Sequence, residues 1–379
     1  MTVTIFAGVP TRNMTLYHAT RFLVGDPCSL IEAEGKRTLI IRDIEMDRAR
    51  RHARADRVTC PADWTPEGGL SNDRETAMAQ ALAECLRRSG VAEVRADRTL
   101  SLSYVDQLAR GGVRVVYDPN LGVEARRRKD ESEIEQIREA QLATERAVRV
   151  ACETIARATA DAGGVLHADG SPLTSERVRT LIDRTLLDQG YDGPPAIVAC
   201  GSQGGDCHDH GHGPLMTGQP VIVDVFPKNK ATLYNGDCTR TVVHGEISPE
   251  LLHMHACVVR AKAAAAHALR GGTTAHEVHA ATMRLVRAHG FDRALPAPDA
   301  PPQFTSLQHG TGHGLGLEGH EPPLIDEGGP LLIPGDVVTI EPGLYSRAFG
   351  GVRVEDVYAL TKGGHVNLGG SLHEGLTWR

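Results

Sequence analysis

Two stretches of this chain place charge inside otherwise apolar, strand-forming sequence, and that restricts the fold more than any other feature. Val221 to Phe226 reads VIVDVF, and Val337 to Glu341 reads VVTIE. An ionised carboxylate in such a strand is costly to bury unless it is paired or holds a metal. Each strand is followed by a partner run that brings a second carboxylate. Asp237 opens DCTRTVVH, and Glu355 lies in GVRVEDVYA. The polar segments between read as turns, so each pair reads as a hairpin, and a hairpin can bring both carboxylates to one face. Taken alone, Asp237 could equally close the turn Asn235-Gly236-Asp237. In the second pair, Arg353 and Glu355 alternate with Val352 and Val354, so the charged side chains share a face.

The remaining pattern gives two domains. The chain has 379 residues, more than one hydrophobic core usually spans. Up to about residue 125, strands and helices alternate. Arg37–Arg42, Val94–Ala96 and Val113–Tyr117 read as strands, and Asp43–Ala55 and Asp73–Ser89 as helices, the pattern of a small α/β domain. The charged run Arg126 to Glu133 marks the boundary, giving domains 1–127 and 128–379. A long helix follows from Ser132 to Ala158, with Ile134, Ile137, Ala140, Leu142, Ala147 and Val150 as its apolar stripe. Further helices are expected over Leu173–Gln189, capped by Thr174 or Ser175, and over Glu250–Leu269 and Thr274–His289. With a strand at Ala196–Cys200, this makes two sets of paired helices and hairpin, a duplicated α+β arrangement.

Composition narrows the function. A formal net charge of −7 does not suggest a nucleic-acid partner. No apolar run is long enough to span a membrane, and residues 1–12 lack the pattern of a secretory signal. The eight cysteines form no CxxC pair, so they read as reduced thiols in a cytoplasmic protein. Histidine is the unusual residue: of 18, thirteen lie between His208 and His320. The stretch HGTGHGLGLEGHE, His309 to Glu321, sets three histidines among five glycines, and glycine lets backbone approach a ligand closely. Four carboxylates and imidazole suit divalent ions of the manganese, cobalt or iron kind. Two such ions would balance four negative charges, and a close pair generates hydroxide and polarises a carbonyl, the chemistry of amide hydrolysis.

Asp224, the DCTRT stretch, HGTGH with GLEGHE, IEPG at Glu341 and VRVED together resemble the pita-bread metallopeptidases, the group of methionine aminopeptidase, aminopeptidase P and prolidase. The resemblance covers Lys129 to the end. The first domain is similar to the creatinase/prolidase amino-terminal domain through Asn13 to Phe22 and RTLIIRD. The resemblance implies an α/β amino-terminal domain followed by an α+β pita-bread domain. It implies two metal ions, manganese first, with cobalt, iron or zinc as substitutes. Asp237 and Glu355 would bridge them, Asp224 would complete one shell, and His313 and Glu341 would bind the other ion. Glu341 would relay a proton, His320 would steady the substrate carbonyl, His208 and His309 would contact substrate, and Arg353 would orient Glu355. It further implies a homodimer.

Three departures from the family pattern stand out. Asp224 and Asp237 lie thirteen residues apart rather than the usual eleven, so Lys228 to Asn235 should form a longer hairpin. In CHDHGHG, His210 or His212 could replace His208. Leu324 stands where some prolidases place an arginine that holds a dipeptide's carboxylate, which argues against strict dipeptide specificity. The expected activity is a metal-dependent Xaa-Pro aminopeptidase or dipeptidase acting through a metal-bridging hydroxide. The alternatives are a hydrolase or lyase of the same fold acting on a small non-peptide substrate, and a non-catalytic peptide-binding module.

Overall fold

The computed structural model describes residues 2–370 and 372–378. The chain divides into two compact units, residues 1–126 and 127–379. In the first, six strands form one sheet: β1 (Thr4–Gly8), β2 (Cys28–Ala33), β3 (Lys36–Ile40), β4 (Arg57–Thr59), β5 (Glu93–Ala96) and β6 (Arg114–Tyr117), in the order β4-β3-β2-β1-β5-β6. Alternation assigns the two faces. Ile5, Ile31 and Ile40 pack with Met78, Leu82, Tyr104 and Leu108 from the helices Arg74–Arg88 and Leu102–Arg110. Phe6, Leu30 and Leu39 pack with Leu16 and Phe22 on the other side. The helix expected over Asp43–Ala55 is shorter, a 3-10 turn at Asp43–Glu45 leading into Met46–His52.

The second unit opens on the helix Glu131–Ala156, started by a capping box in which Asp130 and Glu133 each accept from the other's backbone N–H. This helix and Ser175–Leu187 back three antiparallel strands, β7 (Ile197–Cys200), β8 (Pro220–Val225) and β9 (Cys238–Val243). Thr174, rather than Ser175, caps the shorter helix. A second helix pair, Pro249–Ala268 and Ala275–Ala288, backs the later strands. Helix pair and sheet thus occur twice.

Two expectations are corrected here. The long helix does not bury Leu142, which is 36% exposed, but turns Gln141, Thr144 and Glu145 inward instead. Nor do Val337–Glu341 and Gly351–Ala359 form a single hairpin. The returning run divides between two sheets. Gly350–Arg353 pairs with Gly343–Ser346, whereas Asp356–Thr361 pairs with Val337–Ile340. The break falls at Glu355, whose backbone N–H donates to the Thr239 carbonyl of β9 at 3.1 Å instead of to either partner of the returning run. Among the described residues, no helix is long and apolar enough to cross a membrane.

Candidate metal centre

Strand pairing sets the first two carboxylates. On β8, Asp224 lies opposite Thr239 of β9, and Asp237 immediately precedes β9. The longer hairpin forms as a small loop, with Lys228 bridging to Asn235 and Asn229 N–H donating to Tyr234 O. It returns both aspartates to one cavity. The Asp237 backbone N–H donates to Gln141 Oε1 at 2.9 Å, so the inward polar face of the long helix fixes this turn.

The later strands supply the rest. Glu341 follows Val337–Ile340 directly, and its N–H donates to Thr311 O at 2.8 Å. His313 sits between Gly312 and Gly314, where a Cβ at either position would collide with the carbonyl of Thr339 or of Glu321. Glycine is therefore required for the imidazole strand to lie this close to its neighbours. His313 Nδ1 lies 3.1 Å from Gly314 O, which leaves Nε2 facing Glu341 Oε1 at 3.3 Å and Asp237 Oδ2 at 3.7 Å. Donor atoms of Asp237, His313 and Glu355, all buried, lie within 4.8 Å of one another. Asp224, Glu341, His208, His210, His309 and His320 line the same cavity, of about 430 Å³. The His212 ring does not line the cavity and lies with Nδ1 3.3 Å from Gln203 Nε2. His320 stacks on His313 with ring centroids 3.8 Å apart. His309 is held by Tyr345 Oη at 2.6 Å from Nε2. Leu324 is on the cavity wall and exposed.

Arg353 makes a different contact from the one expected. Its Nη2 lies 2.6 Å from Asp224 Oδ2, and its Nη1 donates to Tyr345 Oη at 2.9 Å. Glu355 is held instead by Thr239, whose hydroxyl donates to Oε2 at 2.7 Å and also accepts from Arg353 Nε. Sequence reading missed Gln141, Thr239 and Tyr345 as supports. The one available signal for Thr239 was its place two residues after Asp237.

Charge in the cavity is out of balance. Burial pushes the Asp237 carboxyl well above its usual range, and the neighbouring charges of Glu355, Asp224 and Glu341 add to this. Glu355 is raised for the same reasons, burial first. Burial would raise Glu341 as well, but the hydrogen bond and charge of His313 hold it down to about 2. His313 in turn is raised, because Glu341 outweighs its burial. His320 is lowered by burial and then by the charge of His313. Asp224 Oδ1 is buried with no hydrogen-bond partner among the described residues. Crowded carboxylates, an orphaned oxygen and an imidazole nitrogen form a donor set that suits divalent ions, which would reverse each upward carboxyl shift.

The description of metallopeptidase family M24 matches residues 135–362. A probable dipeptidase, PepE, of Mycobacterium tuberculosis is 35% identical over 181 residues, 47% of this chain and 44% of that protein. The chain thus matches less than half the length of this curated relative. Two solved structures share the fold over nearly the whole chain. The prolidase of Pyrococcus horikoshii OT3 has a TM-score of 0.79 at 21% identity, covering 99% of this chain and 95% of its own. The X-Pro aminopeptidase of Thermotoga maritima has a TM-score of 0.78 at 21% identity, covering 99% and 97%. The α/β first unit and the pita-bread second unit are the architecture of these proteins.

Proposed function

The chain belongs to metallopeptidase family M24, and from that membership we propose that it is a dinuclear metal-dependent peptidase that cleaves Xaa-Pro bonds, as an aminopeptidase or dipeptidase. The carrying observation is the buried meeting of Asp237, His313 and Glu355 within 4.8 Å, beside Asp224 and Glu341 in one cavity. These five residues would hold the ions, with Asp237 and Glu355 shared between them and Asp224 on one side. His313 and Glu341 would take the other. Manganese is the proposed occupant, with cobalt, iron or zinc able to replace it. The chemistry such a pair supplies is a water acidified toward neutrality and a polarised carbonyl.

The chain's own groups do the rest. Glu341, ionised at neutral pH, accepts the proton of the attacking water and passes it to the leaving nitrogen. His320, with its ring at the cavity, steadies the oxygen of the tetrahedral state. Arg353 aligns Asp224, and Thr239 aligns Glu355. His208 and His309 contact the peptide, with His210 beside them on the wall. The reading includes a cytoplasmic enzyme acting as a homodimer, which sedimentation of the purified protein would check.

The test is a peptide-library digest with added manganese, read by mass spectrometry beside elemental analysis. Cleavage confined to Xaa-Pro bonds, with close to two ions per chain, is expected. In Asp237→Asn both should fall to background. Full cleavage by Asp237→Asn after chelation and dialysis would refute the assignment.

A further inference from the structure

Lys129, the residue before the N-cap of the long helix, does not line the cavity. Its Nζ nevertheless reaches Glu321 Oε1 at 2.6 Å, and both side chains are 2% exposed. Glu321 directly follows His320, whose ring is stacked on His313. The pair is tightly enclosed. A Cβ at Gly316 would strike both the Glu321 carboxylate and Lys129 Cε. Lys129 N–H donates to Gly335 O at 3.3 Å.

The same helix start also reaches the opposite hairpin. Glu133 Oε1 accepts from Tyr234 Oη at 2.5 Å. Asn235 donates to Gly316 O from both its backbone N, at 2.9 Å, and its Nδ2, at 2.8 Å. Asn235 lies two residues before Asp237. A buried ion pair contributes little net stability compared with apolar side chains of similar size, so stability alone does not account for Lys129. Geometry does: the pair fixes the residue next to His320 to the helix start, and the Asn235 hydrogen bonds to Gly316 tie the loop that carries it to the Asp237 turn.

We propose that Lys129 is a positioning residue: its ion pair with Glu321 holds the His320 loop so that the imidazole faces the cavity in register with His313. The inference rests on the reading of His320 as a contact to the reacting carbonyl, so the test includes a readout independent of turnover. Histidine ring carbons are labelled with ¹³C, His320 is assigned by its loss in His320→Gln, and the wild type is compared with Lys129→Met, Lys129→Arg and the double variant Lys129→Met/Glu321→Gln. The His320 resonances should move in Lys129→Met and in the double variant. With them, kcat on an Xaa-Pro peptide should fall roughly tenfold or more while KM changes by less than about twofold. Lys129→Arg should recover most of both. The double variant strands no buried carboxylate, so it should regain the unfolding midpoint that Lys129→Met loses, yet keep the low kcat. A folded double variant with unmoved His320 resonances overturns the proposal, as does a kcat that merely follows the unfolding midpoint. A wild type that cleaves no Xaa-Pro bond while the resonances still move would refute the peptidase reading and support the positioning role.

Discussion

Glu355 and Asp356 are neighbours in sequence and equally buried, yet they belong to two regions with opposite charge balance. Asp356 meets Arg240 Nη2 at 2.7 Å and the ammonium of Lys262. Lys262 also pairs with Glu374, and Arg240 donates to the Leu372 and His373 carbonyls. Burial would raise the Asp356 carboxyl, but these two cations hold it below its ordinary range. Glu355 faces three further carboxylates, and its carboxyl is pushed up. One side of the strand is electrostatically complete within the chain. The other crowds carboxylates together, an imbalance that bound cations would relieve. Equal burial therefore does not mean equal surroundings: Asp356 is matched by two cations of the chain, whereas Glu355 is crowded by other carboxylates.

The largest expected effect breaks the complete side. Arg240→Met should cost about 3–5 kcal/mol, because it leaves a buried carboxylate short of a partner, and the loss should be the same with and without manganese. Urea unfolding in both conditions measures it. The sign with pH follows from the lowered Asp356 carboxyl. Its stabilisation is fully present above about pH 4 and disappears as pH falls through the lower folded value, so the variant's deficit should shrink in acid.

Next comes the incomplete side. Chelating the wild type should remove about 2.7 kcal/mol for each site held at a hundredfold excess over its dissociation constant. In Glu355→Gln, added manganese should not raise the unfolding midpoint. A midpoint that rises as much as in the wild type would erase the contrast between the two sides. Gln141→Leu sharpens it further. The buried Asp237 N–H loses its acceptor, which should cost about 1–3 kcal/mol and weaken manganese binding in calorimetry. The smallest effect is expected at Leu142. Leu142→Gln should change stability by no more than about 0.5 kcal/mol, whereas it would cost far more if that side chain faced the core.

These last two residues also show what could be read in advance. Asp224 and Glu341 stood out because a carboxylate in a Val- and Ile-rich strand conflicts with its surroundings, Asp237 and Glu355 drew notice only as the second carboxylates of the two strand pairs, and the glycines around His313 reported a close approach. Gln141 and Thr144 gave no such sign. On a helix, inward polar residues look like a solvated face until their partners, here a backbone N–H and the helix's own carbonyl, are known. The divided strand was hidden for a related reason. VRVEDVYA first breaks its alternation where Glu355 and Asp356 adjoin, and the corner there depends on Thr239, more than a hundred residues earlier. The Arg353 contact was misjudged because a shared face did not show that Asp224, on another strand, was nearer.

Arg240 closes its network on the carbonyls of Leu372 and His373, and Val243 N–H donates to Leu376 O. The strand that begins beside Asp237 is thus finished by residues 132 and 133 positions later in the chain. Pairing within β9 therefore does not lock this sheet by itself: the two carboxylate-bearing strands are finished only by a contact of long sequence separation, the kind of step that slows folding.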